Sequence, residues 1–252
     1  MIELLQDPET EALLLKYILT FFRVQACIMA LPAFSIPAVP QRVRLAVGIS
    51  LTALFAEKSD LTLQTISIAD ILFLSVSETA TGLLLGVVVR IFSISIDIAS
   101  SVIAASTSLS QPMGFINEHA PNPVGNILHL AGAAVLMAIG MPVALCHLLN
   151  ESYLLKPMGS WPDISHVLPF TIDVVLRCFS LAALLAAPYL IGGYLFQIIS
   201  ANISKVMPAL PVMFVAAPAA ILLSLAAFVI LTPSTLSVWA DAVLNFMADG
   251  VP

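Results

Sequence analysis

The amino-acid sequence predicts an all-α fold: a polytopic integral membrane protein of about six hydrophobic helical segments, including long kinked hairpins. Three observations carry this expectation. First, 60% of the 252 residues are hydrophobic, 10% are charged, and mean hydropathy is +1.05. A soluble domain has roughly 45–50% apolar and about 25% charged residues. Second, no charge interrupts residues 24–41, 98–117, 119–150, 178–204 or 206–240. Several of these runs reach the roughly 20 apolar residues that cross a hydrocarbon core. Third, the alternation of roughly 10-residue membrane-barrel strands is absent, which leaves helices as the spanning structure. Together they exclude an ordinary soluble enzyme, a disordered chain and a disulfide-rich secreted module.

The first expected segment covers 12–31, where Glu9, Lys16 and Arg23 recur at seven-residue spacing. That stripe reads as a polar helix face that meets a partner subunit. Pro32, Pro37 and Pro40 then form a connector. The second segment, 43–56, is too short for an ordinary span and suits packing inside a protein assembly. Arg42 and Arg44 before it are the one short basic cluster, which the positive-inside rule places in the cytoplasm. The third segment, 68–108, and the fifth, 171–206, exceed one span and must tilt, bend or project. The fourth covers 124–149 and the sixth 212–232, with a short amphipathic helix expected at 235–248. Pro121 and Pro123, then Pro157, Pro162 and Pro169, then Pro208 and Pro211 mark the later connectors. Pro142, Pro188 and Pro218 lie within apolar runs and predict kinks.

Candidate site residues concentrate in the third segment and the loop after it. Gly82 and Gly86 form a GxxxG pair, and Ser100, Ala104 and Ser108 continue small residues at four-residue spacing. Ala216, Ala220 and Ser224 repeat the pattern in the last large segment. Small residues on one face let helix backbones approach closely in lipid. The partner helix of each ladder, in this chain or another, is left open. Glu78, Arg90 and Asp97 are charges within the same apolar stretch, where a central charge costs about 2.5–3.5 kcal/mol. They line a polar path, or they mark the aqueous ends of a helix only partly in lipid, or they pair with a neighbour. Many hydroxyls follow, from Ser93 to Ser110; they contact water or a polar neighbour, or back-bond to their own helix. The loop QPMGFINEHAPNP spans 111–123 and places Met113, Phe115 and Ile116 around Gly114. Gln111, Pro112, Met113, Gly114, Phe115, Ile116, Asn117 and Glu118 read as a plug in a conduit, or as an interfacial loop touching lipid.

Catalysis has little support. His119, His129, His147 and His166 carry no HExxH-like spacing, and no GxxxxGK[ST] or GxSxG is present. Neither a metal site nor a cofactor is expected, and the chain reads as no enzyme. Cys27, Cys146 and Cys178 sit in apolar runs as small buried hydrophobes. Net charge is -6, with nine basic and fifteen acidic residues, which argues against nucleic-acid binding.

At this point the chain resembles the FliR/SctT family of type III secretion export-gate subunits, from about Phe21 to Pro233. PAFSIPAVPQRVRLAVGISLTALF (32–55) is similar to the family's proline connector, its basic VPxRxR-like step and the short apolar segment after it. ETATGLLLGVVVRIF (78–92) resembles its E-x-x-x-G-x-x-x-G-x-x-x-R stretch, with Glu78, Gly82, Gly86 and Arg90 in order. Asn150–Tyr153 is similar to a family segment end. MPALPVMFVAAPAAI (207–221) matches its late proline step through Pro208, Leu210, Val212 and Pro218. Departures exist: Ser100, Ala104 and Ser108 stand where glycines are common, and Met141-Pro142 replaces a usual Gly-His pair. Pro211 and Ala216 replace Asn and Gly.

The resemblance implies a hetero-oligomeric gate with FliP-like and FliQ-like subunits, associated with FlhB and FlhA, in the bacterial inner membrane at the flagellar basal body. Residues 1–170 would form a FliP-like helical part with the plug loop at 111–123. Residues 171–252 would form a FliQ-like hairpin, about 171–232, and a C-terminal tail. The complex would stand largely above the bilayer plane, which accounts for segments too long or too short for a membrane. The function implied is a structural and gating subunit through which unfolded flagellar proteins are exported. The alternatives are an SctT-like subunit of a virulence secretion system and a stand-alone secondary transporter or channel.

Overall fold

A computed structural model describes residues 8–37, 39–57, 68–106, 123–206 and 212–248. Eight helices follow in order: α1 (Pro8–Ala30), α2 (Gln41–Ala56), α3 (Ile68–Ser93), α4 (Ser95–Ser106), α5 (Pro123–Ile139), α6 (Met141–Leu155), α7 (Ile164–Val206) and α8 (Val212–Ala248). No strand occurs among the described residues. Thr10–Ala30, Ile68–Ala105, Ile164–Val206 and Pro218–Ala248 are each long and apolar enough to cross a membrane. The pair Val124–Ile139 and Met141–Leu155 makes a fifth span if its two halves are read as one. In lipid a helix satisfies its own backbone groups, so such apolar runs have no competing irregular structure. The chain is an all-α polytopic membrane protein.

The helix ends show how local chemistry divides these runs. The expected segment 68–108 is interrupted at Ile94, whose carbonyl accepts from the amides of Asp97 and Ile98 at 2.9 and 3.0 Å. The helix restarts at once as α4. The expected segment 124–149 breaks at Gly140, whose φ of 132° is rarely open to an L residue. Pro142 therefore does not kink a continuing helix. It sits in the first turn of α6, where an amide has no partner to lose. The separate helix expected at 235–248 is instead the end of α8, which runs unbroken through Pro218 and Pro233. Around Pro233 the hydroxyls of Thr232, Ser234 and Thr235 donate to the carbonyls of Phe228 and Leu231. Such local hydroxyl bonds are how membrane helices tolerate proline. At the start of α7, Asp163 accepts from the hydroxyl and the amide of Ser165 at 2.8 and 3.0 Å. These two bonds hold its carboxyl below the usual carboxylate value.

The chain divides into two compact units. One gathers Met1–Phe92, Gly140–Val175 and Val243–Pro252. Its core draws Leu19, Val24, Cys27 and Ile28 from α1, Leu85, Val88 and Val89 from α3, and Met141, Leu145, Leu148 and Leu149 from α6. Phe92 stacks on Phe246 with centroids 4.6 Å apart, and Phe246 in turn meets Phe170. Helix α2 packs on α1 through Gly48, Thr52, Phe55 and Ala56, while the side chain of Gln25 fills the space over Gly48.

The other unit gathers Ser93–Ile139 and Leu176–Ala242. Ile103, Leu128, Leu136, Leu185, Ala186, Tyr189, Leu236 and Trp239 form its core. The Trp239 indole lies against Gly132, where a Cβ would come within 2.9 Å of the ring.

Helix lengths do not match a bilayer. At about 1.5 Å per residue, the 43-residue α7 is about 64 Å long and the 16-residue α2 about 24 Å, against roughly 30 Å of hydrocarbon.

The break at Gly140 generates a prediction. A Cβ there would meet no atom within 4 Å, so Gly140→Ala tests backbone strain alone. The expected loss is of order 1–3 kcal/mol, read as a lower unfolding midpoint of the detergent-purified protein. An unchanged midpoint would show that the break does not need the glycine.

Candidate functional site

Arg23 of α1 and Glu78 of α3 form a wholly buried ion pair, both side chains 0% exposed. Nε donates to Oε2 at 2.6 Å and Nη2 to Oε1 at 3.1 Å, a two-point guanidinium–carboxylate match. The pair holds more than itself. Nη1 of Arg23 donates to the carbonyls of Ser152 and Lys156 at the end of α6, at 3.3 and 3.1 Å. A helix leaves its last carbonyls unpaired and its C-terminus partly negative, so a cation there serves both needs. Oε1 of Glu78 also accepts from the amide of Gly159 at 2.8 Å, and Ser77 donates to the Ser160 carbonyl at 3.0 Å. Gly159 has φ 83°, so the turn that presents its amide needs glycine. The guanidinium lies 4.3 Å from the centre of the Tyr153 ring, an additional cation–π contact. One buried node thus ties α1, α3, the end of α6 and the connector after it.

This corrects the expectation for Arg23. It does not lie on a polar face awaiting a partner subunit; it is inside its own chain. A signal in the sequence could have found it. Arg23 is the one charge between 17 and 41, and Glu78 the one charge between 71 and 89. Two lone opposite charges in separate apolar helices have most to gain from each other.

Directly after Glu78, the two glycines bring α3 onto α1. A Cβ on Gly82 would lie 2.9 Å from the carbonyl carbon of Arg23 and would fall onto its oxygen. A Cβ on Gly86 would come within 2.5 Å of the Ala30 Cβ and 2.6 Å of the Cys27 carbonyl. The helix that faces this GxxxG is therefore α1 of the same chain. The close approach sets the distance at which Glu78 reaches Arg23.

Ser100 and Ala104 are buried in the second unit, and the Ser100 hydroxyl returns to the Asp97 carbonyl at 2.8 Å. Pro218 is exposed on α8, and Arg90 is exposed in the last turn of α3. Asp97, on α4, meets His129 of α5, with Nδ1 and Oδ1 3.1 Å apart. Ser108 and the plug residues Gln111, Pro112, Met113, Gly114, Phe115, Ile116, Asn117 and Glu118 lie outside the described residues. Arg44 donates to the Ile36 carbonyl at 2.7 Å, which ties the basic step to the proline connector before it. Among the described residues no three His, Cys, Asp or Glu side chains converge as metal ligands. Cys27, Cys146 and Cys178 are free thiols, the first and third of them buried.

Two comparisons bear on these features. The chain matches the family described as Bacterial export proteins, family 1, over residues 14–246. It is also similar to the flagellar biosynthetic protein FliR of Caulobacter vibrioides, at 26% identity over 227 residues. That alignment covers 88% of this chain and 90% of the relative.

The buried node predicts an asymmetric response to mutation. Arg23→Met leaves a buried carboxylate without its cation and should cost about 3–5 kcal/mol. Adding Glu78→Leu should restore part of that loss, because it removes the stranded charge. Unfolding midpoints of the purified variants measure both steps. Equal, small losses in the single and double variants would show that the pair is not structural.

Proposed function

Because this chain belongs to the bacterial export proteins of family 1, we propose that it is a structural and gating subunit of a flagellar type III protein export gate in the bacterial inner membrane. The observation that carries the proposal is the family match over residues 14–246, joined by the likeness to a flagellar biosynthetic protein over most of both chains. The helix lengths support it. Apolar helices of 43 and 37 residues beside one of 16 are poorly matched to a single bilayer. They suit an assembly in which neighbouring subunits provide the apolar surroundings.

Within this reading the partners are FliP-like and FliQ-like subunits, with FlhB and FlhA associated and unfolded export substrates in transit. Residues 1–170 correspond to a FliP-like part and 171–252 to a FliQ-like hairpin and tail. The extensive apolar surface of α7 and α8, including Leu176, Leu184, Ile191, Leu195, Val229 and Ile230, supports packing against other apolar helices. Gln111 to Glu118 act as a plug: Met113, Phe115 and Ile116 exclude water and ions at rest and yield to an entering chain. Gly82 and Gly86 act as the helix-packing step that holds the gate subunit together.

Two outcomes are expected. Purified from its host in mild detergent, the tagged protein should run by native mass as a large complex with two other small, apolar subunits. A clean monomer or homodimer with measurable solute flux would favour a stand-alone transporter instead. Deletion of Gly114–Glu118 should leave the complex assembled but leaky to ions or small solutes. Unchanged permeability in an assembled deletion gate would sink the plug.

A further inference from the structure

The helices α4 and α5 are largely apolar. Asp97 is the sole charged residue of α4, and α5 carries none. Their bond places a carboxylate and an imidazole together, with side chains 46% and 43% exposed. Ser101, one turn after Asp97 on α4, is exposed, and its hydroxyl donates to the Asp97 carbonyl at 2.9 Å. Asn126, three residues before His129 on α5, is exposed on the same side of its helix. Beside α4 lies a cavity of about 350 Å³, reaching Ala105, one turn beyond Ser101. Its opposite wall on α7 includes Tyr194 and Gln197, both exposed polar side chains. Carboxylate, imidazole and hydroxyl thus sit together on α4 and α5, and a phenol and a carboxamide face the cavity that reaches Ala105, in a unit whose other exposed residues include Ile127, Leu130, Ile139, Leu184 and Leu195.

Hydrocarbon does not accommodate an exposed carboxylate readily, and an unpaired polar side chain sealed under an apolar partner is also unfavourable. Water satisfies all of these groups. So do the amides of an unfolded polypeptide, which carry one donor and one acceptor per residue. We propose that Asp97, Ser101, Asn126 and His129, continued by Tyr194 and Gln197, form a water-facing stripe. It is this chain's hydrophilic contribution to the wall along which an extended polypeptide passes. The stripe rests on the conduit reading above and gives that conduit a surface: mixed donors and acceptors with a single carboxylate–imidazole contact. Such a surface offers many equivalent hydrogen bonds, so an extended chain slides past it without any one sequence being retained.

Cysteine accessibility in the assembled complex tests this. Ser101→Cys and Asn126→Cys are compared with Ile127→Cys and Ile139→Cys, exposed apolar positions on other sides of α5, above the background of the three native thiols. The probe is a charged, membrane-impermeant methanethiosulfonate, applied to permeabilised host cells. Thiol reactivity follows thiolate content, which apolar surroundings suppress, so the stripe positions should react at least about tenfold faster. A fusion substrate stalled in transit should then slow their labelling and leave the other two positions unchanged. Equal, slow labelling at all four positions would show the edge covered and overturn the proposal. Fast labelling that a stalled substrate does not change would place the stripe at the membrane surface. That also overturns it, while the deletion and native-mass results would still stand for the export gate.

Discussion

The constraint on which the first compact unit depends is the disposal of two charges. Arg23 and Glu78 sit in stretches, 17–41 and 71–89, that hold no other charge. Neither can be left alone there, and neither has a route to water. Their pairing fixes α1 against α3 in rotation and in height, because a two-point guanidinium–carboxylate match tolerates little misalignment. The remaining donors of Arg23 then reach the free carbonyls at the end of α6, and the remaining acceptor of Glu78 reaches Gly159. Replacing such a pair by apolar residues is often neutral for stability. Its distinctive contribution here is therefore a single arrangement of four chain segments, which apolar packing alone would leave to shape.

The glycines serve this electrostatic contact. A helix pair kept apart by side chains at positions 82 and 86 could not hold Glu78 within bonding distance of an arginine whose own carbonyl touches Gly82. Backbone proximity and charge pairing are one device, written into α3 as a carboxylate followed by two glycines at four-residue steps. The hydroxyls of the apolar helices are of another kind. Thr20, Thr52, Thr81 and Ser224 return their bonds to carbonyls one turn back in their own helices.

Much of the fold was legible because composition alone dictates helices in lipid, and the apolar runs lie close to the observed elements. The boundaries that failed were set by backbone details. Gly140 adopts a conformation that hydropathy does not register, so a run that reads as one segment is two helices. At Pro233 the opposite happened: a residue that reads as a stop is carried by local hydroxyls. Of the candidate site, Glu78, Gly82 and Gly86 stand out by their spacing, whereas the role of Arg23 shows only in its isolation between uncharged stretches. Seven-residue spacing suggested a stripe with Glu9 and Lys16, and periodicity cannot tell an outward from an inward face when the inward face holds a charge. The partnership of Asp97 with His129 spans 32 positions, and no pattern along one helix encodes it.

The order of the chain adds a dimension of time. Arg23 precedes Glu78 by 55 residues and Lys156 by 133. At a synthesis rate of roughly 5–20 residues per second, the arginine exists for about 3–11 s before its carboxylate is made, and about 7–27 s before the last carbonyl it serves. During that interval the first helix carries a cation that the finished protein never exposes. An unpaired arginine at the centre of a bilayer costs about 2.5–3.5 kcal/mol, so the first helix reaches its most favourable setting only once α3 has been made.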